Sequence, residues 1–128
     1  MARKPTKGKK ANNRIRPLIS RQYGTEESDV VMNDLAYVLM NSVVRVPVPG
    51  NFYVFIYYAQ KPQLLTDRYP IIACTGLYEW GFSGINRHID EPRNYNFSAV
   101  AGEIYQIKPQ ELESALALPL MDLKQNNR

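Results

Sequence analysis

The side chains of this chain that could do chemistry are few, and two of them stand close together. The stretch "EWGFSGINRHID", residues 79–90, holds the sole tryptophan, Trp80, and the sole histidine, His88. Gly81, Gly84 and Asn86 lie between them. A phosphate-cradling loop would need G-x-G-x-x-G or G-x-x-x-x-G-K-[ST], and neither occurs. The two glycines therefore read as turn residues or as points of close backbone approach. A catalytic His88 would need a nucleophile to activate and a group to orient it. Asp90 is the orienting candidate within the stretch, and Cys74 is the candidate thiol. Cys74, however, sits in the apolar run "IIACT", where a buried inert thiol is the ordinary outcome. One His and one Cys, fourteen residues apart, do not make a zinc set. The acidic clusters "EES", "DE" and "ELE" read as solvated faces and helix-end charges. The expectation is a structural histidine, no catalytic residue, no metal, no cofactor and no small-molecule substrate.

Charge points elsewhere. Residues 1–21 carry eight basic side chains and no acid, and the remainder carries eight basic and twelve acidic ones. An arm of +8 thus precedes a body of −4. Residues 1–14 read as a basic arm with too little apolar surface to order alone. Arg3, Lys4, Lys7, Lys9, Lys10, Arg14 and Arg16 are its candidate contacts to a polyanion or an acidic protein surface. Such contacts to DNA would be salt-sensitive and blind to sequence. The net negative body argues against a sheet face that reads nucleic acid. The single Cys fits a reducing compartment. No apolar run reaches the length of a membrane span, and the basic N-terminus lacks the apolar region of a secretory signal.

The 128 residues fit one domain. Residues 15–42 read as a connector and a helix, and 43–128 as a β-rich domain. The helix is expected over roughly 27–41, capped by Thr25 or Ser28, with Val31, Leu35 and Val38 as its apolar stripe. "VVRVPV" and "NFYVFIYYA" read as two strands around a Pro-Gly turn, the first short or at an edge because of Pro47 and Pro49. The second is apolar on both sides. With one core to serve, the face bearing Phe52, Val54 and Ile56 is expected inside. Tyr53, Phe55 and Tyr57 are then expected at an interface with a partner chain. "QKPQLLTDRYP" reads as a loop, "IIACTGLY" as a third strand, and roughly 84–89 as a fourth. "DEPRNYNFS" reads as a connector, "SAVAGEI" as one or two helical turns, and "YQI" as a short strand. "KPQELESALALP" reads as a short helix with Pro109 in its first turn, and "KQNNR" as a polar tail. No internal repeat is visible.

The segment from Pro49 to Ile89 resembles small structural proteins of contractile-tailed bacteriophages. The matching residues are Pro49, Gly50, Phe52, Tyr53, Tyr57, Pro62, Leu64, Asp67, Tyr69, Pro70, Ile71, Gly81, Phe82, Gly84, Ile85, Asn86 and His88. They cover about a third of the chain, and more loosely the resemblance reaches "YQIKPQEL". An aromatic residue commonly follows the histidine of that pattern; here it is Ile89. The resemblance implies a virion protein of the tail, baseplate or neck, assembled in the host cytoplasm, with a small β-barrel-like domain and no catalytic residues. Its partners would be other phage structural proteins, arranged as a symmetric ring. The fold expected is α+β: a small β-barrel or roll preceded by one helix, with a short helix near the C-terminus. Asp67, Pro70, Gly81, Gly84, Asn86 and His88 form the structural motif, and the aspartate with Asn86 or His88 is expected either to bond across strands or to cap a turn. The alternative function is a nucleic-acid-binding module acting on phage DNA near the portal.

Overall fold

The computed structural model describes residues 13–59 and 65–125. A short helix α1 (Arg16–Ile19) leads to α2 (Ser28–Val38), which runs through a 3-10 turn (Met40–Ser42) into strand β1 (Val43–Val44). Strands β2 (Phe52–Tyr57), β3 (Leu65–Asp67), β4 (Ile71–Leu77), β5 (Gly81–Asn86) and β6 (Glu91–Asn96) follow. A 3-10 turn (Phe97–Ala99) precedes β7 (Val100–Ile107). A further 3-10 turn (Pro109–Glu111), α3 (Leu112–Ala117) and β8 (Leu123–Gln125) complete the chain. The molecule is mainly β with a few helices, as its alternating apolar runs predict.

Six strands form one antiparallel sheet in the order β1-β7-β2-β4-β5-β6, and β3 pairs with β8 in a separate ribbon. The pairing corrects several sequence expectations. β1 and β2 are not a hairpin, because β7 lies between them. The "connector" at 91–96 is strand β6, and the segment read as helical turns contributes most of β7. The ribbon draws on segments read as loop and polar tail. For β7 and the ribbon, pairing with a distant strand overrides a weak local signal; β6 forms by hairpin pairing with β5. The Pro-Gly turn does form: Asn51 N–H donates to Val48 O at 3.2 Å, with Gly50 at φ 99°. That is the left-handed position of a type II turn, with Pro49 before it.

β2 has neighbours on both sides, and its two faces meet two different cores. Val54 joins Ile15, Leu18, Val31, Leu35, Ile71 and Ile107 in a core beneath the helices, with Phe52 and Ile56 packed against it. Tyr53, Phe55 and Tyr57 lie in a second core with Ile72, Cys74, Phe82, Tyr95 and Ile104. The expectation of an interface at Tyr53, Phe55 and Tyr57 is therefore overturned: the strand is enclosed within its own domain. The sheet supplies the cover by curling. Phe55 meets Tyr95 edge-on at 5.2 Å between ring centroids, and Tyr57 meets it at 5.0 Å. β2 and β6 stand three places apart in the sheet, which on a flat surface would separate them by roughly 14 Å. Asn96 N–H also donates to the Tyr57 hydroxyl at 3.2 Å. Among the described residues the curled sheet remains open, with β1 and β6 as its edges.

Two glycines permit close approach of β5 to its neighbours. A Cβ on Gly81 would stand 1.9 Å from the Tyr95 carbonyl oxygen, and one on Gly84 would stand 2.9 Å from that of Ala73. Both belong to the motif noted in the sequence, and both are positions where only hydrogen fits.

Candidate functional site

The motif residues converge on Asp67, a buried carboxylate at the end of β3. β5 ends at Asn86, and the chain then turns through residues 87–90, with Asp90 in the left-handed region. The turn brings His88 back over the ribbon. His88 Nδ1 lies 2.5 Å from Asp67 Oδ2, and Asn86 Nδ2 donates to the same oxygen at 3.2 Å. Asp67 Oδ1 accepts from the backbone N–H of Tyr69 at 3.3 Å and of Asp122 at 3.4 Å. The Asn86 amide oxygen accepts the backbone N–H of His88 at 2.8 Å. Asn86 Nδ2 also reaches the Tyr95 hydroxyl at 3.4 Å, and burial pushes that hydroxyl's pKa well up, so it keeps its proton.

One carboxylate thus ties together β3, the end of β5 and the approach to β8. An ionised Asp67 can only accept, so His88 Nδ1 is the donor. A neutral ring then carries its lone pair on Nε2. That atom is buried and has no hydrogen-bonding partner among the described residues. The orienting group is Asp67, twenty-one residues upstream, and not Asp90, which instead pairs with Arg87 at 3.4 Å. A histidine held by a carboxylate through Nδ1 is two-thirds of a triad. The candidate thiol offers no third member: Cys74 lies in the aromatic core, its Sγ donates to Gly76 O at 3.6 Å, and burial pushes its pKa up. Pro70 is buried immediately before β4 and completes the motif. Among the described residues no group of three or more potential ligands could hold a metal ion.

The basic residues divide. Arg3, Lys4, Lys7, Lys9 and Lys10 lie outside the described residues. Arg16 is exposed. Arg14 is a correction: its side chain is a fold component, not a free polyanion contact. Its Nε and Nη2 each donate at 2.8 Å to the Glu111 carboxylate, and its backbone N–H donates to the same group at 2.9 Å. Nη1 reaches Ser42 Oγ at 2.7 Å. Asn13 Nδ2 binds Ser114 Oγ at 3.1 Å, so the fixed chain begins before residue 15. Glu111, read from "ELE" as solvated, is 0% exposed. Burial pushes its carboxyl up, but the Arg14 side chain and the Lys108 and Arg14 backbone N–H groups outweigh that, leaving it below its ordinary value. Its partner is 97 residues away, a distance at which no local pattern gives a signal. Expected caps also shift: Ser28 Oγ bonds Asp122 at 3.2 Å, and neither Thr25 nor Ser28 caps α2 by side chain.

What the sequence reading missed is an exposed apolar run along the β1 edge. Tyr37, Met40, Val43, Val46 and Val48 are 73%, 57%, 42%, 43% and 52% exposed. They follow one another from the end of α2 through β1 to the Pro-Gly turn, beside a strand whose outer edge has no pairing strand among the described residues. The valines of "VVRVPV" contained the signal, since a strand this short, with Pro47 and Pro49 beside it, leaves little to bury them. No protein-family model, curated protein or solved structure matches this chain.

Proposed function

We propose that this chain is a structural assembly protein of a bacteriophage particle. It would serve as a tail, baseplate or neck component with a barrel-like β domain, held by protein–protein contacts. The observation that carries the reading is the apolar run at the β1 edge. A sheet edge left without a pairing strand among the described residues, beside exposed Met, Val and Tyr, is what a folded monomer ordinarily avoids and an assembly subunit uses. The phage resemblance adds support, because the described residues that carry it have identifiable structural jobs: the turn at Pro49 and Gly50, the close approaches at Gly81 and Gly84, and the bonds of Asp67, Asn86 and His88. A motif made of such residues specifies a scaffold.

The test pairs Met40→Glu with Val43→Asp. Both side chains are exposed, so the double variant should keep its unfolding free energy to within about 1 kcal/mol of the parent. Its incorporation into particles should fall at least tenfold. Normal incorporation of the folded variant would remove the edge from the assembly surface. The competing reading, a DNA-binding module using the basic arm, predicts steep salt-dependent binding to duplex DNA that survives this double substitution.

A further inference from the structure

Trp80 has no part in either core or in the Asp67 joint, yet its surroundings are built. The β4–β5 hairpin tip stacks Tyr78 and Trp80 with ring planes 4° apart and centroids at 5.0 Å. Both rings remain nearly half exposed. The Trp80 carbonyl accepts Phe97 N–H at 3.0 Å, which fixes the tip beside the end of β6. Trp80 borders an open groove of about 480 Å³ whose lining also includes Thr75, Ser83, Arg93, Asn94 and Asn96.

The geometry points to a carbohydrate-binding site, with a neutral glycan packing a pyranose ring against Trp80 and placing its hydroxyls on the polar shelf of β4–β6. Ser83 faces Asn94 across the ladder, and Ser83 Oγ lies 2.9 Å from Thr75 Oγ1, so these three make one surface. Asn96 stands two residues on from Asn94, on the same face of β6. Its amide oxygen accepts the N–H and hydroxyl of Ser98, at 3.2 and 3.0 Å, so Nδ2 is the donor this exposed side chain has to offer a ligand. The exposed Asn94 amide offers both a donor and an acceptor. Arg93 is paired with Glu91 at 2.9 Å, so the groove carries no uncompensated cation. That balance disfavours a phosphate or a nucleic-acid backbone, which would draw on Lys and Arg. A sugar ring presents an apolar face and a rim of hydroxyls that both donate and accept. A rigid aromatic plate beside amides and hydroxyls matches both features.

Because Trp80 is the only tryptophan, indole emission reports on this site alone. An array of neutral glycans built from hexoses, deoxyhexoses and N-acetylhexosamines identifies binders, which are then titrated against the full chain by fluorescence and calorimetry. The expected result is a saturable change in Trp80 emission by at least one glycan. Asn94→Ala, at an exposed position, should weaken binding at least tenfold with an unchanged melting temperature, and Trp80→Ala should abolish the calorimetric signal. Three results would overturn the assignment: no glycan bound, a glycan bound equally by both variants, or an oligothymidylate perturbing Trp80 where the glycans do not.

Discussion

At His88 the hydrogen-bond pattern decides which substitution the fold tolerates. Only Nδ1 is bonded, to Asp67 at 2.5 Å, while Nε2 faces no protein partner among the described residues. Asparagine places an N–H near the position of Nδ1; glutamine places one nearer Nε2. His88→Asn should therefore cost about 1 kcal/mol, the usual worth of a bond strained but kept. His88→Gln should cost about 2–3 kcal/mol, because Asp67 loses a donor while staying buried. Urea denaturation of the two variants gives the comparison, and equal losses would show that Nδ1 is not the group that matters. The aspartate's link to "GINRH" was legible in the sequence through the family-like spacing. Its four-bond geometry was not, since the backbone donors at Tyr69 and Asp122 leave no trace in residue type.

Elements are held by contacts that span the chain. Arg14 and Glu111 join the N-terminal segment to the 3-10 turn before α3, and one partner is fully buried. Arg14→Ala should destabilise by about 3 kcal/mol, because it strands a buried carboxylate. The pH dependence has a definite sign. Glu111 lies below its ordinary value of 4.5 in the fold, so its contribution is full above that value and is lost as pH falls through the lower, folded one. The stability gap between the parent and Glu111→Gln should thus be constant near neutrality and narrow in acid. A gap that widened in acid would mean the carboxyl is not held ionised. β2 carries the second test at this scale. Phe55→Ala should cost about 3–5 kcal/mol by thermal melt, and Ile56→Ala about 2 kcal/mol or more, since each side chain packs into a different core. A silent Phe55→Ala would place that ring at a surface. The two-sided apolar pattern of "NFYVFIYYA" was plain in the sequence, and so was the helix stripe at Val31 and Leu35. The choice between a partner and a second core was hidden, because it depends on curl and on β6, a strand whose "EPRNYN" carries little apolar alternation.

Taken whole, the molecule is a curled open sheet with an aromatic core inside the curl, a helix-covered core outside it, and an apolar margin at β1. The curl and both cores satisfy the fold internally; the margin does not, and the assembly reading rests on it. The margin was underweighted in the sequence because exposed valines look like core valines until the strand order is known. The most direct test is quantitative mass spectrometry of purified particles after nuclease treatment and a high-salt wash. A structural component of the particle should be retained at a fixed ratio to the major structural proteins. Abundance in the infected-cell extract with absence from washed particles would contradict it.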